Sequence, residues 1–126
     1  MKRLETRIEG LVLLEPEVYG DERGFLLETY RDTDWAEAGV DLDFVQENQS
    51  RSVANTLRGV HFQTSPGHAK LVRCPRGRIW DVAVDLRRDS PTFGQWEGYE
   101  LDDERHRQLL VPIGFGHGFC VLSDSA

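Results

Sequence analysis

The stretch Ile79-Trp80-Asp81-Val82-Ala83-Val84-Asp85-Leu86 constrains the fold more than any other, because apolar and acidic residues alternate along it. Trp80, Val82, Val84 and Leu86 fall on one face, Asp81 and Asp85 on the other. A period of two is the signature of a strand, whose successive side chains point to opposite sides, and does not match the 3.6-residue period of a helix. Short runs of Val, Ile, Leu, Phe and Trp recur along the chain between turn residues, at the spacing of about 8–12 residues typical of sandwiches and barrels. The pattern predicts a mainly β chain, with strands over residues 11–14, 24–30, 44–52, 56–63, 70–74, 77–86, 94–101 and 107–111. A last strand begins near Gly118. One short helix is predicted over 32–39, capped by Asp32, Thr33 or Asp34 and ended by Gly39. Pro- and Gly-bearing stretches at 65–67, 75–77, 87–91 and 112–116 supply turns.

For the strand at 77–86, the Trp80 face is expected to pack on the core. Asp81 and Asp85 have two readings. One is a solvated outer face, where most carboxylates lie; the other is a barrel interior, where they would pair with Arg73 or Lys70.

A chain of 126 residues has room for one domain, taken here as 1–126. The net charge of −7 opposes binding to nucleic acid, whose phosphates require a basic surface. Leu11-Val12-Leu13-Leu14 ends at Glu15 and Pro16, too short for a signal peptide or a membrane span. Cys74 and Cys120 lie far apart and form no CxxC or Cys/His spacing, so reduced thiols and a cytoplasmic location are expected.

Groups that bind or react concentrate in 20–31, 46–63 and 70–78, and a Gly-rich turn near 112–119 adds His117. On the strand at 56–63, His61 and Gln63 share a face and Arg58 points to the other. Arg58 and His61 can serve one site only if Gly59, between them, marks a bulge or bend. Taken alone, a strand histidine is more often structural than catalytic, and Lys70 more often a solvated loop lysine. Together they suit enolisation beside a ketone. A histidine near neutral pKa removes the proton, and Lys70 and Arg58 hold the negative charge that appears on the carbonyl oxygen.

The runs GDERGFLLETYR (20–31), FVQENQSRS (44–52), LRGVHFQ (57–63), KLVRCPRGRIWDVAVDLRRDSPTFGQW (70–96) and PIGFGHGFCVLS (112–123) resemble, in order and spacing, the signature blocks of the dTDP-4-dehydrorhamnose 3,5-epimerases. The resemblance spans nearly the whole chain. It implies a cupin-type jelly-roll β-barrel or sandwich with one or two short helices, a homodimer, and a reaction that uses neither metal nor cofactor. The implied substrate is a dTDP-4-keto-6-deoxyhexose, dTDP-4-dehydro-6-deoxyglucose, inverted at both carbons flanking the ketone on the route to dTDP-L-rhamnose. By motif match His61 falls on the general base, and Lys70 and Arg58 on residues that contact substrate and favour the enolate. Arg23, Glu28, Gln46, Glu47, Asn48 and His117 fall on substrate-binding positions. Guanidinium groups match a diphosphate, and amides and carboxylates match thymine and sugar edges.

The family continues past its GHGF block into a strand carrying a tyrosine acid, and later to an aspartate that orients the base. The resemblance therefore implies a chain lacking its C-terminal part, with an unpaired edge near Gly118. None of Tyr19, Tyr30 and Tyr99 lies in the matching motif. Three rival readings stand beside the epimerase: a metal-dependent cupin built on His61, His68 and His117, a barrel that only binds the sugar nucleotide or dimerises, and an epimerase that inverts a single centre. The first is disfavoured because Gln63 stands where such cupins place their second histidine, and the Lys70 ammonium would repel a cation.

Overall fold

The computed structural model describes residues 1–126 as ten short strands and one helix. In chain order these are β1 (Lys2–Leu4), β2 (Val12–Glu15), β3 (Val18–Asp21), β4 (Gly24–Leu27), α1 (Asp32–Glu37), β5 (Leu57–His61), β6 (Lys70–Arg73), β7 (Arg78–Asp85), β8 (Trp96–Asp102), β9 (Gln108–Val111) and β10 (Phe115–Val121). All strand pairs are antiparallel. They make one sheet in the order β1-β2-β9-β6, a second in the order β5-β10-β7-β8, and a separate β3–β4 hairpin. The mainly β, jelly-roll expectation holds, with a single short helix.

Between the two four-stranded sheets lies the main core. Ile79, Ala83, Leu101, Phe115 and Val121 from one sheet meet Leu13, Leu109 and Val111 from the other. A second apolar cluster covers the far side of the first sheet, where Trp35 and Val40 seal Val12, Leu14 and Leu110. Strands β2 and β9 are thus buried on both faces, which explains why Val12-Leu13-Leu14 and Leu109-Leu110-Val111 run apolar without alternation.

In β7 the strand prediction holds, and of the two readings of the acidic face the interior one is observed, while the Trp80 face, expected on the core, lies outside. Ile79, Asp81, Ala83 and Asp85 face the interior, with both aspartates fully buried, whereas Trp80 is 40% exposed. The physical reason is that each carboxylate finds partners inside. Asp85 accepts from Arg87 Nη2 (2.8 Å), from the Ser90 hydroxyl (2.5 Å) and from the Thr92 hydroxyl (2.7 Å). These bonds hold its carboxyl well below the usual carboxylate range. Glu97, on the same inner wall, accepts the backbone N–H groups of Arg7 (3.0 Å) and Ile8 (2.9 Å), anchoring the N-terminal segment. On the outside, the Trp80 ring lies over Gly98, where a Cβ would come within 2.5 Å of it.

Three local expectations need correction. Residues 44–52 form no strand; only Ser52, at their end, is paired, with Ala126, beside the isolated Val53–Ser125 bridge. The segment 24–30 stays in a ladder only through Leu27, after which the buried Gln108 side chain donates to the Thr29 carbonyl (2.9 Å) and pulls the chain away. Neither β1 nor β3 is expected from the sequence, both being short and rich in polar residues. The helix starts without a side-chain cap: Arg31 occupies the N-cap, and the Asp32 carboxylate takes the adjacent Thr33 N–H instead. Its end is as expected at Gly39 (φ +100°), whose N–H bonds Ala36 O while Val40 N–H reaches back to Trp35 O. That pair of bonds is a Schellman termination, which glycine accommodates without strain.

Candidate functional site

The inner faces of β5, β10 and β7 bring the chemistry-bearing residues together. His61 opposes His117 in the β5–β10 register, and Arg58 opposes Phe119. Three residue steps on β5 thus match two on β10, so β5 carries an extra residue at Gly59-Val60. Directly opposed residues share a face, as do residues two apart. The irregularity therefore turns Arg58 and His61 to the same side, which regular alternation would forbid. Glycine is required there because the strands nearly touch. Gly59 has φ +124°, and a Cβ on it would lie 2.5 Å from Gly118 Cα and 2.9 Å from the His117 carbonyl.

Behind His117 sits Asp81. The His117 Nε2 is 2.8 and 3.0 Å from the two carboxylate oxygens of Asp81, with Asp81 wholly buried and His117 13% exposed. Burial pushes the Asp81 carboxyl up, opposed by the hydrogen bond and charge of His117 and by the charge of Lys70. An ionised Asp81 fixes Nε2 as the proton-bearing nitrogen, leaving Nδ1, which bonds nothing in the chain. Lys70 reaches this neighbourhood from the opposite sheet. It lies on the same side of β6 as Val72, which packs on the main core. An interior Asp81 is one of the two readings the sequence allows, but the partner expected there is Arg73 or Lys70, not His117. The signal that could have found the pair is the matched alternation of 79–85 and 115–121, which allows Asp81 and His117 to share one wall.

Arg58 donates through Nε to the Ser52 hydroxyl (2.9 Å). Gln46 and Asn48 are exposed and bonded to each other, Nε2 to Oδ1 at 3.1 Å. Glu47 points elsewhere, with its carboxylate 3.8 Å from Arg73, the β6 residue directed away from Lys70. Arg23 and Glu28 are not brought to the cluster within this chain. Arg23 is on the isolated β3–β4 hairpin, paired with Asp21, and Glu28 is paired with Arg31. Of the tyrosines, Tyr19 is exposed on the hairpin and Tyr30 packs edge-on against Trp35 and Phe44. Tyr99 has its hydroxyl buried beside Glu97 without a well-formed hydrogen bond, and burial and that carboxylate both raise its pKa. No three His, Cys, Asp or Glu side chains converge in a geometry that could ligate a metal, and no helix is long and apolar enough to cross a membrane.

Comparison with known proteins places the chain in a family. Residues 5–126 match the family model described as dTDP-4-dehydrorhamnose 3,5-epimerase. The chain is 50% identical over 121 residues to the dTDP-4-dehydrorhamnose 3,5-epimerase of Methanothermobacter thermautotrophicus, covering 96% of this chain and 65% of the relative. It is 48% identical to a dTDP-4-dehydrorhamnose 3-epimerase of Streptomyces niveus, covering 94% of this chain and 58% of that protein. The structure superposes with a TM-score of 0.95 on the Bacillus anthracis 3,5-epimerase solved with TDP and PPi bound. Identity there is 51%, and the match covers 98% of this chain and 72% of the other. The Legionella pneumophila dTDP-6-deoxy-D-glucose-3,5-epimerase, solved in complex with dTDP-4-keto-L-rhamnose, gives a TM-score of 0.94 at 46% identity, with 98% and 66% covered. The chain spans about two thirds of the length of these relatives. With nearly every residue inside the matched region, the chain belongs to the dTDP-4-dehydrorhamnose 3,5-epimerase family.

Proposed function

We propose that this chain acts in the 3,5-epimerisation of dTDP-4-dehydro-6-deoxyglucose, the step that supplies the keto precursor of dTDP-L-rhamnose. The observation that carries the reading is the β5 irregularity, which sets Arg58 and His61 on one face beside the His117–Asp81 pair. His61 makes no hydrogen bond in the chain and is exposed, free to take a proton from the carbons flanking a ketone. Lys70 holds the charge of the enolate; Arg58, for which the motif match suggested the same role, takes the diphosphate instead, since its free guanidinium edge can make two parallel bonds to a phosphate; His117 takes a polar edge of the sugar. Gln46 and Asn48 bind the nucleotide through their amides. No metal or cofactor is needed, because the ketone itself accepts the electron pair. The name of the Streptomyces niveus relative supports a second reading, inversion at a single centre.

The test is incubation with dTDP-4-keto-6-deoxyhexose in deuterated water, following deuterium uptake at the two carbons by NMR. Uptake at both supports the 3,5 reading, and uptake at one supports the single-centre reading. His61→Ala should lower the rate by about 10²-fold or more. Undiminished uptake in that variant removes His61 as base.

A homodimer fits the same reading. The outer face of β5-β10-β7-β8 exposes Leu57 (72%) and Trp96 (57%) with Trp80, an apolar strip of the kind that marks an interface. The β3–β4 hairpin exposes Phe25 and Leu26, and an isolated hairpin is marginal in water. A second copy covering both would also give Arg23 and Glu28 a route to a sugar nucleotide. A cytoplasmic location fits the two free thiols, Cys74 and Cys120.

A further inference from the structure

Arg58 has no acidic partner in the chain, and its only side-chain hydrogen bond is from Nε to the Ser52 hydroxyl at 2.9 Å. The two terminal nitrogens, with four N–H donors, are unclaimed. Ser52 is the one buried polar residue of the long segment between α1 and β5, being 5% exposed among exposed neighbours. Its position is not set by that segment. Its N–H donates to Ala126 O (2.7 Å) and its carbonyl accepts from Ala126 N–H (3.0 Å). Next to it, Val53 bridges Ser125, and Ala54 N–H donates to Asp124 O (2.9 Å). A two-bond antiparallel clasp therefore holds the Ser52 hydroxyl in place.

We infer that Ser52 is a positioning residue for substrate binding: it holds Arg58 by Nε so that the terminal edge of the guanidinium is presented, already oriented, to the diphosphate of the sugar nucleotide. This rests on the proposed function. A free arginine on a strand samples many rotamers, and ordering it on binding weakens affinity. A bond at Nε removes much of that freedom while leaving free the edge that makes two parallel bonds to a phosphate. A bond at Nη would instead occupy the recognition edge.

The experiment is calorimetric titration of the full chain with dTDP and with thymidine, at two salt concentrations. Ser52→Ala should weaken dTDP binding about three- to tenfold and leave thymidine binding unchanged, whereas Ser52→Thr, which keeps the hydroxyl, should restore it. In an Arg58→Lys background, where no Nε–H remains, Ser52→Ala should have no further effect. If Ser52→Ala does not fold, arginine Nε–H exchange in the wild type gives an independent reading. A slowly exchanging signal lost in Arg58→Lys supports the bond, and its absence overturns the proposal. Equal dTDP affinity in wild type and a folded Ser52→Ala also overturns it, as does an equal loss for dTDP and thymidine. Wild-type protein that binds no dTDP at all rejects the proposed function, and the role of Ser52 with it.

Discussion

Replacing Gly59 by alanine tests whether the β5 irregularity is what assembles the site. Two penalties act at once. At φ +124° an L-residue is strained by about 1–3 kcal/mol. In addition, its Cβ would stand 2.5 Å from Gly118 Cα, roughly 1 Å inside normal carbon–carbon contact. Both partners are backbone, so no rotamer change relieves the contact, and β5 must lift from β10. Overpacking of this kind costs about 1–3 kcal/mol more. Gly24 is the control: its φ of +133° is nearly the same, but a methyl group on its Cα would meet nothing within 4 Å. Gly24→Ala should therefore show strain alone and Gly59→Ala strain plus separation. The expected loss for Gly59→Ala is about 2–6 kcal/mol, or roughly 6–25 °C in melting temperature for a chain of this size. Because a displacement of about 1 Å can lower catalysis about 10²-fold, deuterium uptake should fall by that order in any folded Gly59→Ala protein. Circular-dichroism melts and the NMR exchange assay read the two effects. Gly59→Ala that melts and exchanges like Gly24→Ala would refute the argument.

Asp81→Asn should dissociate function from stability. Burial raises the Asp81 pKa, so its contribution to stability is fully present below the unfolded value near 4 and is lost as pH rises through the folded value. The Asn variant should lack that loss and be at least as stable at pH 7 by denaturant titration, while affinity for the dTDP-hexose, but not for dTDP, falls roughly tenfold as His117, which holds a polar edge of the sugar, loses its anionic partner. Asp85 has the opposite sign: its lowered pKa gives stability that is present above about pH 4 and lost as pH falls toward the folded value. Asp85→Asn should cost about 2–4 kcal/mol at pH 7 and flatten the acid limb of the stability profile, a pattern that chemical denaturation between pH 2 and 7 would reveal. Trp96→Glu, on the exposed apolar strip, should lower the mass measured by light scattering from that of a dimer to that of a monomer. An unchanged mass would place the interface elsewhere.

Much of the architecture is legible in the sequence because alternation and turn residues report strands locally. The strands at 70–74, 77–86, 94–101 and 107–111 lie within two residues of those observed at each end, and Gly39 marks the helix end correctly. Facing is not legible in β7. Hydrophobicity ranks Trp80 above Asp81 for burial, but the outcome depends on hydrogen-bond partners 36 residues away in sequence, at His117. The extended run at 44–52 reads as a strand by composition, yet a ladder requires a neighbour, and neighbours are set by topology. The approach of Arg58 and His61 is legible through Gly59, since a glycine in an otherwise regular strand signals close backbone contact. The separation of Arg23 and Glu28 from the rest is not, because nothing local says that the β3–β4 hairpin stands apart from both larger sheets.

The sheet β1-β2-β9-β6 separates two apolar clusters, with Leu13, Leu109 and Val111 on one side and Val12, Leu14 and Leu110 on the other. Residues 12–14 of β2 and 109–111 of β9 are therefore closed to charge, and a change of volume on either side is felt through a shared backbone wall. Substitution has little room in this wall, where both a larger and a smaller side chain are costly. Change is better tolerated in the loops, while this wall keeps the frame on which β6 carries the charge of Lys70 toward the buried Asp81.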